Sequence, residues 1–229
     1  PAPAGADGAR REARIVILHT NDLHGAVPAA AVRDKSGAVI GRRGGMAAAL
    51  AYVKKTRAEA RRAGHAFFLV DAGDFFQGTP EGDLPNGRML VHLMNLARYD
   101  LLAPGNHDFD QGPQTCESLA RRADFPFLCA NVFRDDGSFR RPDWVRPYAI
   151  RETHGLKIAF VGLITSDMPI VTTEKARRGL VFQEELRALC DVLPHLDKEE
   201  RPDLKILVTH CGVETDKRID GQLIRTEAK

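Results

Sequence analysis

The feature that most constrains the fold of this chain is a short apolar run that ends in a polar, glycine-containing loop, and it occurs several times. The first such run covers residues 15–18 and leads into Asp22, His24 and Gly25. Short apolar runs bounded by turn residues are typical of buried strands. Each loop then follows the carboxyl end of a strand, where open α/β sheets bind their ligands.

Segments with the apolar spacing of helices separate these runs. Residues 46–62 predict a helix with Met46, Leu50 and Val53 on one face. A strand, a helix and a second strand in this order form a βαβ unit, so the sequence predicts an α/β fold with parallel strands. Residues 26–43 show no periodic pattern and are predicted to be irregular. Further helices are predicted at 87–97, 113–123 and 183–193 (limited by Pro194), and further strands at 67–70, 100–103, 127–130, 204–209 and a hairpin of 148–153 with 157–164.

Composition excludes several classes of protein. The chain has 229 residues, and its net charge of +2 favours neither nucleic acid nor an anionic membrane as a partner. No run of about 18 apolar residues occurs, so no transmembrane helix is predicted. The four cysteines lack a C-x-x-C spacing and are expected to be buried thiols. Residues 1–13 are predicted to be a flexible leader.

Four of the loops carry residues of the types that bind metal ions. An Asp-x-His sequence alone is more often a turn with a surface histidine than a metal site. Here such residues are concentrated at strand ends, which share one edge of a layered α/β fold, so their side chains are expected to converge. A mixed nitrogen and oxygen ligand set suits manganese, zinc, cobalt or iron and disfavours calcium. The predicted ligands are Asp22, His24, Asp74, Asn106 and His210.

The ligand types predict a centre with two divalent ions. Two ions about 3.5–4 Å apart need one ligand that contacts both, and a carboxylate can do so. Asp74 is predicted to be this bridge because Gly73 allows the backbone to turn sharply before it. The first ion is assigned Asp22 and His24, and the second Asn106 and His210.

Two further residues complete the predicted site. His107, beside Asn106, is expected to lie over the metal centre as a cation or proton donor. Asp110, three residues further on, can hold the other ring nitrogen of His107 and so fix its tautomer and charge. Asp71 is expected to be a supporting carboxylate at a strand end. A pair of metal ions activates water and neutralises charge on a phosphoryl group, so the residues predict hydrolysis of a phosphoester.

Four motifs together resemble the calcineurin-like metallophosphoesterases, and more closely the amino-terminal domain of the branch that contains 5′-nucleotidases, bacterial UDP-sugar hydrolases and the thiohydrolase SoxB. The motifs are HTNDLHG at 19–25, GDFFQGT at 73–79, GNHDFD at 105–110 and TH at 209–210. The resemblance implies a four-layered α/β/β/α sandwich and two-metal hydrolysis of a phosphoester. A nucleotide is then the default substrate, with a sulfur ester as the alternative. The resemblance also implies a periplasmic or secreted protein.

The resemblance assigns roles to the matching residues. It makes Asp74 the bridging ligand, the other four predicted ligands metal-binding residues, and His107 with Asp110 the catalytic dyad. The family's Gly-His-x-His motif (or its Gly-His-x-Gln variant), which supplies one more ligand to each ion, does not occur here, nor does its carboxyl-terminal substrate domain. Residues 14–229 are therefore expected to form a metallophosphoesterase domain that is incomplete at its carboxyl end, with weak metal retention and poor activity. The two explanations are a fragment of a longer protein, which we favour, and an unusually short, inactive relative. The rival interpretation of function is a non-catalytic binding or scaffolding module.

Overall fold

The computed structural model describes residues 13–212 and the backbone of two short strands beyond them. Apart from Ala13, the predicted leader lies outside the described residues. The strands are β1 Ile15–Thr20, β2 Ala30–Arg33, β3 Val39–Arg43, β4 Ala66–Asp71, β5 Leu101–Leu102, β6 Phe127–Leu128, β7 Val132–Arg134, β8 Val145–Arg146, β9 Tyr148–Thr153, β10 Leu156–Ile164, β11 Leu180–Phe182, β12 Leu204–His210, β13 Arg218–Ile219 and β14 Gln222–Leu223. The α-helices are α1 Met46–Arg62, α2 Pro80–Asp83, α3 Arg88–Ala97, α4 Pro113–Ala120, α5 Met168–Val171 and α6 Glu185–His195. In this described part, no helix is both long and apolar enough to span a membrane.

Two sheets bring the ends of several strands to one edge. The first is parallel, with the strand order β1-β4-β5-β6-β8, and the second has the order β12-β10-β9. In the second sheet, β10 is parallel to β12 and antiparallel to β9. The carboxyl ends of β1, β4 and β5 share an edge because these strands are parallel and adjacent. His210, which ends β12, reaches the same edge, since its Nδ1 atom lies 2.6 Å from the carbonyl oxygen of Ala72.

Alternating side chains divide the interior into layers. On β4, Phe68 and Val70 pack with Phe160 of β10 between the two sheets. Leu69, between them in the sequence, packs instead in the core formed with α1, α3 and α4. On β10, Val161 packs against α6 on the outer side of the second sheet. The order is therefore helices, sheet, sheet, helix, and it confirms the predicted α/β/β/α sandwich.

Phe160 is expected to be important for the stability of this sandwich. Its side chain is fully buried and makes an edge contact with the ring of Phe68, with the centroids 5.1 Å apart. Phe160→Ala should lower the free energy of unfolding by about 3–5 kcal/mol, because it leaves a cavity between the sheets. Urea denaturation followed by circular dichroism measures this loss. Phe139→Ala is the matched control, since Phe139 is 86% exposed, and should change stability by less than about 0.5 kcal/mol. Equal losses for the two variants would contradict the assigned core.

The predicted hairpin of β9 and β10 is confirmed, and a second hairpin was not predicted. His154 and Gly155 connect β9 to β10 with φ values of 52° and 76°, as a type I′ turn requires. The prediction of an irregular segment over residues 26–43 is wrong, because β2 and β3 pair there as an antiparallel hairpin. Both strands are exposed along their whole length. No buried face therefore imposes an alternation of apolar residues that the sequence would reveal.

The prediction that Pro194 limits the last helix is also wrong. Helix α6 includes Pro194, and the chain continues as a π-helical turn over Leu196–Glu200. Proline removes one N–H donor from the helix. On either side of it, however, Val192 and Leu196 are buried against the second sheet, and burial of these side chains offsets the lost hydrogen bond.

Candidate metal centre

The predicted ligands lie at the carboxyl-terminal edge of the two sheets. Asp22 and His24 follow β1, Asp74 follows β4, and His210 ends β12. One ligand atom from each of Asp22, His24 and Asp74 lies within 4.8 Å of the other two. His24 Nε2 is 3.6 Å from Asp22 Oδ1 and 3.9 Å from Asp74 Oδ2. Donor atoms about 2.1 Å from one ion lie roughly 3–3.5 Å apart, so this group fits a cation after a small contraction.

The carboxylate of Asp74 faces two sets of donors. Its Oδ2 atom lies 3.9 Å from His24 Nε2 and 3.2 Å from His210 Nε2. Its Oδ1 atom accepts a hydrogen bond from the backbone N–H of His107 at 2.8 Å. One oxygen is therefore fixed by the backbone, while the other lies between two imidazoles.

Backbone carbonyl groups orient both of these imidazoles. The Nδ1 atom of His24 lies 2.8 Å from the carbonyl oxygen of Gln77, and that of His210 lies 2.6 Å from the carbonyl oxygen of Ala72. A carbonyl oxygen only accepts hydrogen bonds, so the proton is on Nδ1 in both rings. Loss of the other ring proton would leave the lone pair on Nε2, the nitrogen that lies near Asp74, and this arrangement is typical of metal-binding histidines.

His107 lies beside the ligand group and is held by Asp110. The centroid of its ring is 5.5 Å from that of His24. Its Nδ1 atom lies 2.7 Å from Asp110 Oδ2, which orients the ring and leaves Nε2 available to another partner. Asn106 is half-buried and immediately precedes His107, whose N–H binds Asp74. The structure thus places Asn106, His107 and Asp110 in one loop at the edge of the cluster.

Three of the predicted ligands have a left-handed backbone conformation. Their φ values are 50° at Asp22, 45° at His24 and 58° at Asp74. Each costs of order 1 kcal/mol or more in an L-residue and persists only where the surroundings enforce it. The N–H groups of Asp22 and His24 donate to the carbonyls of Gly73 and Asp74, at 2.9 Å each. Strain that two loops impose on each other at the ligand positions is a feature of functional sites.

Gly73 permits a close approach between two of the loops. Its φ is 97°, and a Cβ atom at this position would lie 2.6 Å from Cα of Gly105. Only glycine satisfies both conditions. The sequence indicates the sharp turn before Asp74, and the structure adds that this turn packs directly on the loop that carries Asn106.

Asp74 and His210 form a charged pair. Burial disfavours the ionised form of Asp74, but the hydrogen bond from His210 and its positive charge outweigh burial and lower the pKa of Asp74. Burial also disfavours protonation of His210, but its bond to Asp74 raises the pKa of His210 to about 9. The pair therefore holds one proton, as a protonated imidazole beside an ionised carboxylate. A bound divalent cation would replace that proton, so the nitrogen and oxygen donors here fit a metal ion.

A buried polar network supports the Asp74 loop. The carboxylate of Asp71 accepts hydrogen bonds from the Gly73 N–H at 2.9 Å and from the Thr20 hydroxyl at 2.6 Å. The Thr20 oxygen also lies 2.8 Å from the Tyr99 hydroxyl oxygen. Burial raises the pKa of Asp71 to about 7, although these hydrogen bonds act against the shift. Asp71 thus supports the loop before Asp74, as the sequence predicts. The sequence did not indicate Thr20 and Tyr99, because a single threonine or tyrosine carries no recognisable pattern.

The sandwich and the cluster of carboxylates and imidazoles at its strand ends are the features of a metallophosphoesterase-type domain. The chain belongs to the calcineurin-like phosphoesterase family, whose model matches residues 15–226. This membership confirms the family resemblance seen in the motifs.

Relatives with substantial identity include 5′-nucleotidases and proteins named UshA. The chain is 33% identical over 211 residues to a 5′-nucleotidase of Vibrio cholerae, covering 92% of this chain and 36% of the relative. It is 32% identical over 199 residues to the protein UshA of Escherichia coli, covering 87% of this chain and 34% of UshA. The chain therefore spans about a third of the length of these relatives.

Solved structures share the fold. A 5′-nucleotidase precursor from Thermus thermophilus superimposes with a TM-score of 0.74 at 25% identity, over 86% of this chain and 37% of that protein. The sulfate thiohydrolase SoxB of Thermus thermophilus has a TM-score of 0.76 at 20% identity, over 89% of this chain and 45% of SoxB. At that identity the likeness to SoxB concerns the fold alone.

Proposed function

We propose that this chain carries the metal centre of a two-metal phosphoester hydrolase of the 5′-nucleotidase type. The observation that supports this most is the position of Asp74 Oδ2 between His24 Nε2 and His210 Nε2, at 3.9 and 3.2 Å. Both imidazoles have Nδ1 bound to a carbonyl oxygen, so their other nitrogens are the ones available to metal. A surface cluster without a ligand would not need two imidazoles orientated in this way.

The proposed ligands divide into two sets that share Asp74. Asp22, His24 and Asp74 would hold one ion, and Asp74, Asn106 and His210 the other. Manganese, zinc, cobalt and iron suit this mixture of oxygen and nitrogen donors. When bound, such ions supply Lewis acidity, which lowers the pKa of water and neutralises charge on a phosphoryl group.

His107 is the residue of this chain proposed to contact the reacting phosphoryl group. Asp110 accepts a hydrogen bond from Nδ1, so in the protonated ring Nε2–H would be free to donate a hydrogen bond to a phosphoryl oxygen while charge develops there. The nearby backbone is fixed, because the His107 N–H is bound to Asp74. The proposed substrate is a nucleoside 5′-monophosphate, by analogy with the nucleotidases to which the chain is similar.

The two alternatives to this proposal are a sulfur-ester hydrolase and a non-catalytic binding module. A sulfur-ester hydrolase is supported by fold similarity to SoxB, but the relatives above 30% identity include several 5′-nucleotidases. A non-catalytic binding module would not require the paired histidine tautomers or the His107–Asp110 contact. The phosphoester proposal therefore accounts for more of the site.

Metal dependence and turnover test the proposal directly. The full-length protein, stripped with a chelator and then given Mn²⁺, is expected to recover hydrolysis of AMP and p-nitrophenyl phosphate in proportion to bound metal. Metal content by mass spectrometry and phosphate release measure this. Protein that stays free of metal and inactive with Mn²⁺, Zn²⁺, Co²⁺ and Fe²⁺ would support the binding module instead. Turnover of a thiosulfonate ester without turnover of AMP would support the SoxB-like alternative.

Export to the periplasm or the medium is part of the same proposal. One similar relative is a snake venom 5′-nucleotidase of Crotalus adamanteus, 33% identical over 212 residues, with 90% of this chain and 34% of the relative covered. The similar Thermus thermophilus structure is that of a precursor. The venom origin of the first protein and the precursor form of the second support export of this protein.

A further inference from the structure

Asp108 is a buried carboxylate within the candidate site that neither the proposed metal shell nor the catalytic dyad uses. It lies in the 3₁₀ turn His107–Phe109, directly after two residues of the site, and its side chain is fully buried. A buried carboxylate is costly unless hydrogen bonds satisfy its oxygens. The partners of Asp108 therefore indicate what the residue does.

All of its recorded hydrogen bonds go to backbone N–H groups of the two loops that carry Asp74 and Asn106. Asp108 Oδ2 accepts from the N–H of Gly105 at 2.8 Å and from that of Asp74 at 2.9 Å. Asp108 Oδ1 accepts from the N–H of Phe75 at 3.0 Å. One carboxylate thus joins the backbone at the start of one loop to two consecutive residues of the other.

A further hydrogen bond runs between the same loops in the opposite direction. Asp74 Oδ1 accepts from the N–H of His107, so each loop supplies an aspartate that binds the backbone of the other. Asp74 is also left-handed, with a φ of 58°, a conformation that needs outside support. The bonds from Asp108 to the N–H groups of Asp74 and Phe75 lie on both sides of that strained residue and supply the support.

We propose that Asp108 is a positioning residue, which holds the Asp74 loop and the Asn106–His107 loop at the separation that a shared metal centre requires. The inference about metal rests on the proposed function, while the link between the loops does not. Asp108 contacts neither ion nor substrate in this scheme and acts through Asp74 and Asn106.

The test compares Asp108→Asn with Asp100→Asn in the full-length protein. Asparagine offers one acceptor oxygen in place of two and turns an NH₂ group towards at least one backbone N–H. Asp100 is the matched control, because it is a half-buried carboxylate that accepts the Leu69 N–H at 2.8 Å. It precedes β5 and is therefore at the opposite end of the strand from the site.

The first measurement needs no metal. In metal-free protein, amide hydrogen exchange by NMR is expected to be at least about tenfold faster at Asp74, Phe75 and Gly105 in Asp108→Asn than in the wild type. Asp100→Asn should leave these three amides unchanged. In the wild type they should also exchange more slowly than the amide of Gly78, which donates to Asp83 at the surface. Fast exchange of the three amides in the wild type overturns the proposal even if the variant does not fold.

The second measurement is Mn²⁺ affinity by calorimetry at equal folded fraction. Asp108→Asn is expected to bind Mn²⁺ about 10–100-fold more weakly than the wild type, as loss of a supporting contact does at metal sites. Asp100→Asn should keep the wild-type affinity. Unchanged affinity in Asp108→Asn, despite faster exchange, overturns the positioning role. A wild type that binds no Mn²⁺ contradicts the proposed function and the metal part of this inference, while the exchange data separately decide whether Asp108 joins the loops.

Discussion

Asp74→Asn is expected to remove most metal from the protein and to lower kcat for AMP by about 10³-fold or more, the largest effect of any single substitution. The Oδ2 atom of Asp74 faces both His24 and His210. Asparagine has a single acceptor oxygen and no charge. If that oxygen accepts the His107 N–H, an NH₂ group points at both metal positions and cannot bind a cation. Loss of several kcal/mol of transition-state stabilisation follows, and about 1.4 kcal/mol corresponds to a factor of ten.

The loss must be distinguished from misfolding. Metal content by mass spectrometry and kcat at saturating Mn²⁺ are the measurements, with circular dichroism as a check on folding. Asp143→Asn is the control, because the side chain of Asp143 is 80% exposed and pairs with Arg134 at the surface. That variant should keep its metal and its turnover. An Asp74→Asn protein that retains two ions and near wild-type kcat would rule out Asp74 as the bridge.

The convergence of the site residues could be predicted from the sequence because loops that follow adjacent parallel strands must lie at the same edge of the sheet. Apolar runs indicate the strands, and adjacent parallel strands end at the same edge, so the sequence alone groups Asp22, Asp74 and Asn106. His210 was grouped with them by the same strand-end argument, but that argument does not indicate that β12 belongs to the second sheet.

The orientation of the side chains could not be predicted in the same way. The tautomer of His24 depends on the carbonyl of Gln77, and that of His210 depends on the carbonyl of Ala72, which is 138 residues away in the sequence. Every residue has a carbonyl group, so sequence gives no sign of which one will be used. Tertiary structure alone brings these partners together.

Surface elements were missed for a different reason. The β2–β3 hairpin is exposed on both faces, so its strands lack the apolar alternation that marks a half-buried strand. In α6, burial of Val192 and Leu196 keeps the chain helical beyond the point at which Pro194 indicates a stop. Local sequence rules fail for the β2–β3 hairpin because neither of its faces is buried. They fail for α6 because the packing of its apolar side chains outweighs the hydrogen bond that proline removes.

His107→Gln is expected to lower kcat for AMP by about 10²–10³-fold while leaving metal content unchanged. His107 lies next to the ligand group, but its Nδ1 is occupied by Asp110 and its proposed task is at the phosphoryl oxygen. Loss of a group that stabilises charge in the transition state affects kcat more than KM. Steady-state kinetics at saturating Mn²⁺ measures both. His154→Gln, in the exposed turn between β9 and β10, should match the wild type.

Asp110→Asn is expected to lower kcat less, by about 10–100-fold, because Asp110 acts by orienting His107. If that is its only role, the double variant of His107→Gln with Asp110→Asn should be no slower than His107→Gln alone. The double-mutant cycle therefore predicts strong non-additivity, as for residues that act as a unit. Losses that multiply would mean that Asp110 contributes independently of His107, and the two residues would then not form a dyad. A double variant that also loses metal would place the pair in the support of the centre instead of in the reaction.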